Sequence, residues 1–68
     1  MDRYLLEYEI KKKGMTVEEF CRKIGISKSA YYRKVSQKTE FTQGEISKTV
    51  DVLGLDSPMD IFFSDKVS

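Results

Sequence analysis

Apolar residues recur along this chain at helical spacing, in short runs broken by polar residues and glycines. Leu6 and Ile10 stand four apart in a first segment from about Arg3 to Lys13, where Lys11, Lys12 and Lys13 crowd the last turn before Gly14. Val17, Phe20, Cys21 and Ile24 then fall at i, i+3, i+4 and i+7, a single stripe, and Gly25 follows where positive φ is needed. A later stripe, Ile46, Val50 and Leu53, is closed by Gly54.

Polar residues mark where each stripe starts. Thr16-Val17-Glu18-Glu19 and the pair Thr42 and Glu45 read as capping boxes, in which a threonine hydroxyl and a glutamate three residues on satisfy free helix amides. Ser27 caps a helix over about Lys28 to Val35, ahead of the polar stretch Ser36-Gln37-Lys38-Thr39. Ser57, Pro58 and Asp60 start a last short helix carrying Ile61 and Phe62. The expected fold is therefore all-α: five short helices, no strand, in one compact domain over residues 1–68.

With 68 residues, 40% of them hydrophobic, the chain can build only one core, and a deep catalytic cleft is not expected. One cysteine and no histidine rule out an intrachain disulfide and the usual zinc and iron–sulfur sites, so no cofactor, no metal and no enzyme activity are expected. Cys21 lies on the apolar stripe and reads as a small packing residue. No stretch approaches the roughly 18 apolar residues of a membrane span, and the start resembles no signal peptide, so a cytoplasmic, membrane-free location is expected.

Net charge is only +1, but its distribution is uneven. Residues 1–26 carry six basic and five acidic side chains, residues 40–68 two basic and six acidic, and residues 27–39 carry Lys28, Arg33, Lys34 and Lys38 with no acid. That cationic island falls on the second of two short helices joined by Gly25-Ile26-Ser27, the helix-turn-helix arrangement, over about residues 16–35. Phe20, Ile24, Ile26 and Tyr31 form its core around Cys21. Lys11 to Lys13 read instead as a cationic helix end that suits the dipole.

At about 100° per residue, Ser29 and Arg33 lie opposite Tyr31, with Lys28 and Tyr32 beside them. All four are expected to point outward. Arg33 can donate a bidentate pair to guanine, Lys28 can reach a guanine or a phosphate, Ser29 can bond either, and Tyr32 can touch a thymine methyl or a phosphate. Phosphates are expected to be held by backbone amides at the starts of the second and fourth helices, and by Thr16, Ser27, Lys38, Thr39, Thr42 and Gln43.

The stretch from Met15 to Val35, with Glu40-Phe41-Thr42 opening and Val52-Leu53-Gly54-Leu55 closing the fourth helix, resembles the lambda-repressor-like, Cro/repressor-type (XRE) helix-turn-helix family of bacteria and their phages. The resemblance covers nearly the whole chain and implies a five-helix domain that binds operator DNA as a transcriptional regulator, of phage or prophage type. It also implies base reading by Lys28, Ser29, Tyr32 and Arg33. Two positions depart from it. Val17 stands where the family has a phosphate-binding glutamine, and Lys34 where the family has an apolar residue, with Val35 apolar instead; a differently wound or terminated helix end follows as an expectation.

Double-stranded DNA is the expected partner. A homodimer on DNA is expected too, because Ile61, Phe62 and Phe63 cannot all point inward from one short helix and the family pairs through its last helices. The alternative is a protein-binding adaptor or antirepressor on the same scaffold, anchored by Tyr32 and the C-terminal phenylalanines.

Overall fold

Each long helix begins at a side chain that takes up one of its free amides. Asp2 Oδ1 accepts from the Leu5 N–H at 3.0 Å to start α1 (Arg3–Lys12). Thr16 Oγ1 accepts from Glu19 at 3.1 Å to start α2 (Val17–Ile24), and Ser27 Oγ accepts from Ala30 at 3.1 Å to start α3 (Lys28–Val35). Thr42 Oγ1 accepts from Glu45 at 3.1 Å to start α4 (Gln43–Leu53). Losing one such cap typically costs about 1 kcal/mol. The short α5 (Met59–Phe62) follows Pro58, whose carbonyl accepts from Ile61 and Phe62.

This computed structural model describes residues 1–56 and 58–62, and among them there is no strand. The capping role expected of Ser57 and the orientation of Phe63 lie outside the described residues. α2 packs on α3 and α4, and α1 on α2 and α5. The Asp2 N–H donates to the Ile61 carbonyl at 2.7 Å, joining the chain's start to α5.

The core is built from Leu6 and Ile10 of α1, Phe20, Cys21 and Ile24 of α2, Tyr31 and Val35 of α3, Leu53 of α4 and Ile61 of α5. Each such apolar side chain removed from water contributes about 1.5–3 kcal/mol before the entropy of ordering it is counted. On α4 the buried face differs from the expected one: Thr49 and Leu53 are buried, while Ile46 and Val50 are half-buried. Thr49 tolerates the interior because its hydroxyl donates to the Glu45 carbonyl at 2.8 Å, one turn back on its own helix. Tyr4 and Tyr8 lie at the surface, and Phe41 is half-buried with its ring edge-on to Phe62 at 5.2 Å.

Four helices end with one backbone device: a residue at positive φ, followed by an N–H that reaches five residues back to a carbonyl. The bonds run from Met15 to Ile10, Ile26 to Cys21, Lys38 to Arg33 and Leu55 to Val50. Gly14, Gly25 and Gly54 hold the positive φ in three of them; in the fourth, at the end of α3, it is Gln37 at +67°. α3 itself runs regularly to Val35, which is buried. The winding is regular, and what differs at this end is its termination, on Gln37 where the other three helices use glycine.

Candidate nucleic-acid interface

The geometry of α3 follows from where its tyrosine is anchored. Tyr31 is fully buried, edge-on to the Phe20 ring at 6.2 Å, and Val35 one turn later is buried beside the same core. With that face held inward, Lys28, Ser29, Tyr32 and Arg33 are all exposed. They form two rows at i, i+4 spacing: Lys28 with Tyr32, and Ser29 with Arg33. The Tyr31 hydroxyl is buried without a hydrogen-bond partner, and burial pushes its phenol well above the usual range. It remains neutral and serves the core.

The turn before α3 keeps this surface open. The Gly25 and Ile26 N–H groups both reach the Cys21 carbonyl, at 2.9 and 3.0 Å, and the chain re-enters helix within two residues at Ser27. Lys48 Nζ of α4 stands near Gly25, where a cation suits the negative end of α2. Cys21 sits beneath the turn, buried, with burial pushing its thiol up.

After α3, the Arg33 carbonyl gathers the next segment: it accepts from the Ser36 hydroxyl at 3.1 Å, the Lys38 N–H at 2.9 Å and the Thr39 N–H at 3.4 Å. Lys38, Thr39, Thr42 and Gln43 are exposed along this segment and the start of α4. The backbone that carries them is thus fastened directly to the helix that carries Arg33.

The expected phosphate ligands are not equivalent as donors. Ser27 Oγ accepts a capping amide, which leaves its hydroxyl proton free to be given to an anion; at Thr42 the N–H goes to Glu45 Oε1 and the side chain also bonds the Glu45 carboxylate. At Thr16 both donors are spent: its N–H and its hydroxyl go to Glu19 Oε1, at 3.0 and 3.2 Å. Those two bonds hold the Glu19 carboxyl below the usual carboxylate range. A phosphate contact by Thr16 requires that box to open.

The cationic island is divided by the fold. Lys34 is nearly buried; its Nζ lies 3.0 Å from Glu45 Oε1 and donates to the Glu40 carbonyl at 3.2 Å, with its ammonium 5.7 Å from the centre of the Phe41 ring. The same Glu45 oxygen accepts from the Thr42 N–H at 2.9 Å. Burial pushes the Glu45 carboxyl up, but the Thr42 amide and Lys34 outweigh it and hold it below the usual range. Lys34 therefore joins α3 to α4, and Lys28, Arg33 and Lys38 remain exposed as the cations of the island.

One neighbour of this surface carries no sequence signal. Arg3, at the start of α1, places its guanidinium 5.8 Å from the centre of the Tyr32 ring. Only the tertiary fold brings the two together, so spacing along the chain could not have revealed it.

Two packed helices joined by a tight glycine turn, the second displaying an exposed basic and polar surface, define a helix-turn-helix DNA-binding unit. The profile of the helix-turn-helix family matches residues 6–58, more than three quarters of the chain, and the chain belongs to that family in its Cro/repressor (XRE) type. It is a DNA-binding transcriptional regulator of this type. No curated protein and no solved structure matches the chain. Among the described residues no helix is long and apolar enough to cross a membrane.

Proposed function

We propose that this chain is a Cro-like or repressor-like regulator that lays α3 in the major groove of operator DNA and reads base edges with Lys28, Ser29, Tyr32 and Arg33. The observation that carries this reading is the division of α3 into an anchored face, Tyr31 and Val35, and an exposed face holding those four residues together. Arg33 supplies the planar fork that suits guanine, and Lys28 lies at the helix start, within reach of a base or the backbone. Ser27, Lys38, Thr39, Thr42 and Gln43 clamp the phosphates on either side, with Thr16 and Thr42 the weaker of the set because their capping boxes occupy their donors.

The protein acts as a homodimer on two half-sites, in keeping with a phage or prophage-type regulator. Met59, 64% exposed on α5, and the half-buried Phe41 and Phe62 pair supply apolar surface for that contact. The test is a binding titration against sequences selected from random duplex DNA. Arg33→Ala is expected to weaken binding by about 1–3 kcal/mol and to relax preference at one base pair. Unchanged affinity and preference would remove Arg33 from the reading face.

A second reading has one observation in its favour. Tyr4 and Tyr8, 83% and 58% exposed and one turn apart on α1, are the kind of residues that anchor protein interfaces. An adaptor or antirepressor would leave a DNA selection without any enriched sequence.

A further inference from the structure

We propose that Arg3, outside the helix-turn-helix unit, is a positioning residue that sets the orientation of Tyr32 and through it the base preference of α3. The proposal rests on the DNA-reading role given to α3 above. Tyr32 is 45% exposed and flanked on two sides: the Tyr31 ring stands edge-on at 5.3 Å and 79°, and the Arg3 guanidinium lies 5.8 Å from the ring centre. That distance is within cation–π reach.

An arginine free to swing would contribute little order, but this one is held. Its Nε donates to Glu7 Oε2 at 2.9 Å, one turn along α1, a surface pair in which Arg3 is exposed and Glu7 half-buried. Glu7 thus fixes Arg3, and Arg3 with Tyr31 fixes Tyr32. Tyr31 cannot yield, because it is fully buried in the core. A side chain that reaches DNA already in its bound rotamer loses less entropy on binding and presents its hydroxyl and ring edge at one defined place.

The guanidinium is suited to this double duty. It can donate in its plane to a carboxylate while stacking with its face on an aromatic ring; a lysine ammonium in the same place keeps the charge but loses the planar fork. The effect on DNA is therefore indirect and local, confined to the base step that Tyr32 meets.

The experiment uses the full chain, random-sequence duplex DNA, and the variants R3A, R3K, E7Q, Y32A and R3A/Y32A, with thermal melts to confirm that each is folded. R3A is expected to reduce discrimination at one base step by about two- to fivefold, the change expected on losing an exposed cation–π contact. E7Q is expected to give a smaller loss at the same step, R3K to restore discrimination only in part, and R3A to add nothing in the Y32A background. The slope of affinity against salt is expected to stay at its wild-type value in R3A.

Two results would overturn the proposal. One is an R3A protein that is folded and keeps the wild-type base preference; the other is a salt slope lower by about one, which would make Arg3 a phosphate ligand instead. Neither is confused with failure of the broader reading, which is judged by R33A: if R33A leaves DNA binding unchanged, α3 is not the reader, whatever Arg3 does.

Discussion

At the end of α2 the Ile26 N–H reaches back to the Cys21 carbonyl, Gly25 takes the positive φ, and the residues at the two ends of that bond are buried or half-buried. At the end of α3 the same reach joins Lys38 to Arg33, both exposed, with Gln37 at +67° between them. α1 and α4 end as α2 does, with Ile10 and Met15, and with Val50 and Leu55. In its usual form this closure gains from glycine and from an apolar contact across the turn. The α3 end forgoes both. Its cations stand where apolar residues would stabilise the turn, and a residue with a Cβ occupies the strained position. Strain of that kind concentrates at functional sites when the surroundings can hold it. Here three bonds to the Arg33 carbonyl do the holding.

The largest effect is expected from breaking a glycine-closed end. Gly25→Ala forces a Cβ into the left-handed region and is expected to cost about 1–2 kcal/mol in chemical denaturation. The cost is conformational, since the added atom would meet only the tip of the Lys48 side chain, at 3.9 Å.

An intermediate effect is expected where α3 is tied to α4 by charge instead of by turn geometry. Lys34→Met is expected to cost about 1 kcal/mol near neutrality, because Glu45 keeps its Thr42 bond but loses its cation. The sign of the pH effect follows from the lowered carboxyl. In the parent its stabilising share is complete above the usual carboxylate range and is lost as the pH falls through the lower value of the folded state. The gap between parent and Lys34→Met is therefore expected to narrow in acid, as urea midpoints near neutrality and at acid pH would show. A gap that widened in acid would remove the ion pair from the account.

The smallest effect makes the α3 end resemble the other three. Gln37→Gly relieves the strained φ and is expected to raise stability by about 0.5–1 kcal/mol. Affinity for the selected DNA is expected to stay the same, because Lys38 and Thr39 remain bonded to the Arg33 carbonyl. A loss of stability would mean that the Gln37 side chain does more for the turn than its backbone strain costs.

Helix boundaries were legible because each rests on a local device: α3 spans Lys28–Val35 as its cap and polar exit implied, and both capping boxes are present. What stayed hidden depends on partners distant in sequence or on a residue type used against its habit. Thr49 looks polar but satisfies its hydroxyl within the helix, so its burial leaves no apolar mark. Gln37 carries no signal for positive φ. Lys34 counts as a surface cation until Glu45 is seen beside it. On α3, the 100° wheel is enough to predict which residues point outward, because Tyr31 and Val35 define the opposite side. The wheel says nothing of how a hydroxyl's one proton is spent, which at Thr16 goes to Glu19.

The single thiol of the chain lies under the turn between α2 and α3, 3% exposed. Reaching it with a thiol-specific reagent requires α2 and α3 to part, so the labelling rate of Cys21 measures how often the DNA-binding unit opens. A duplex that clamps both helices would slow that reaction, which turns one buried sulfur into a clock for occupancy that needs no introduced probe.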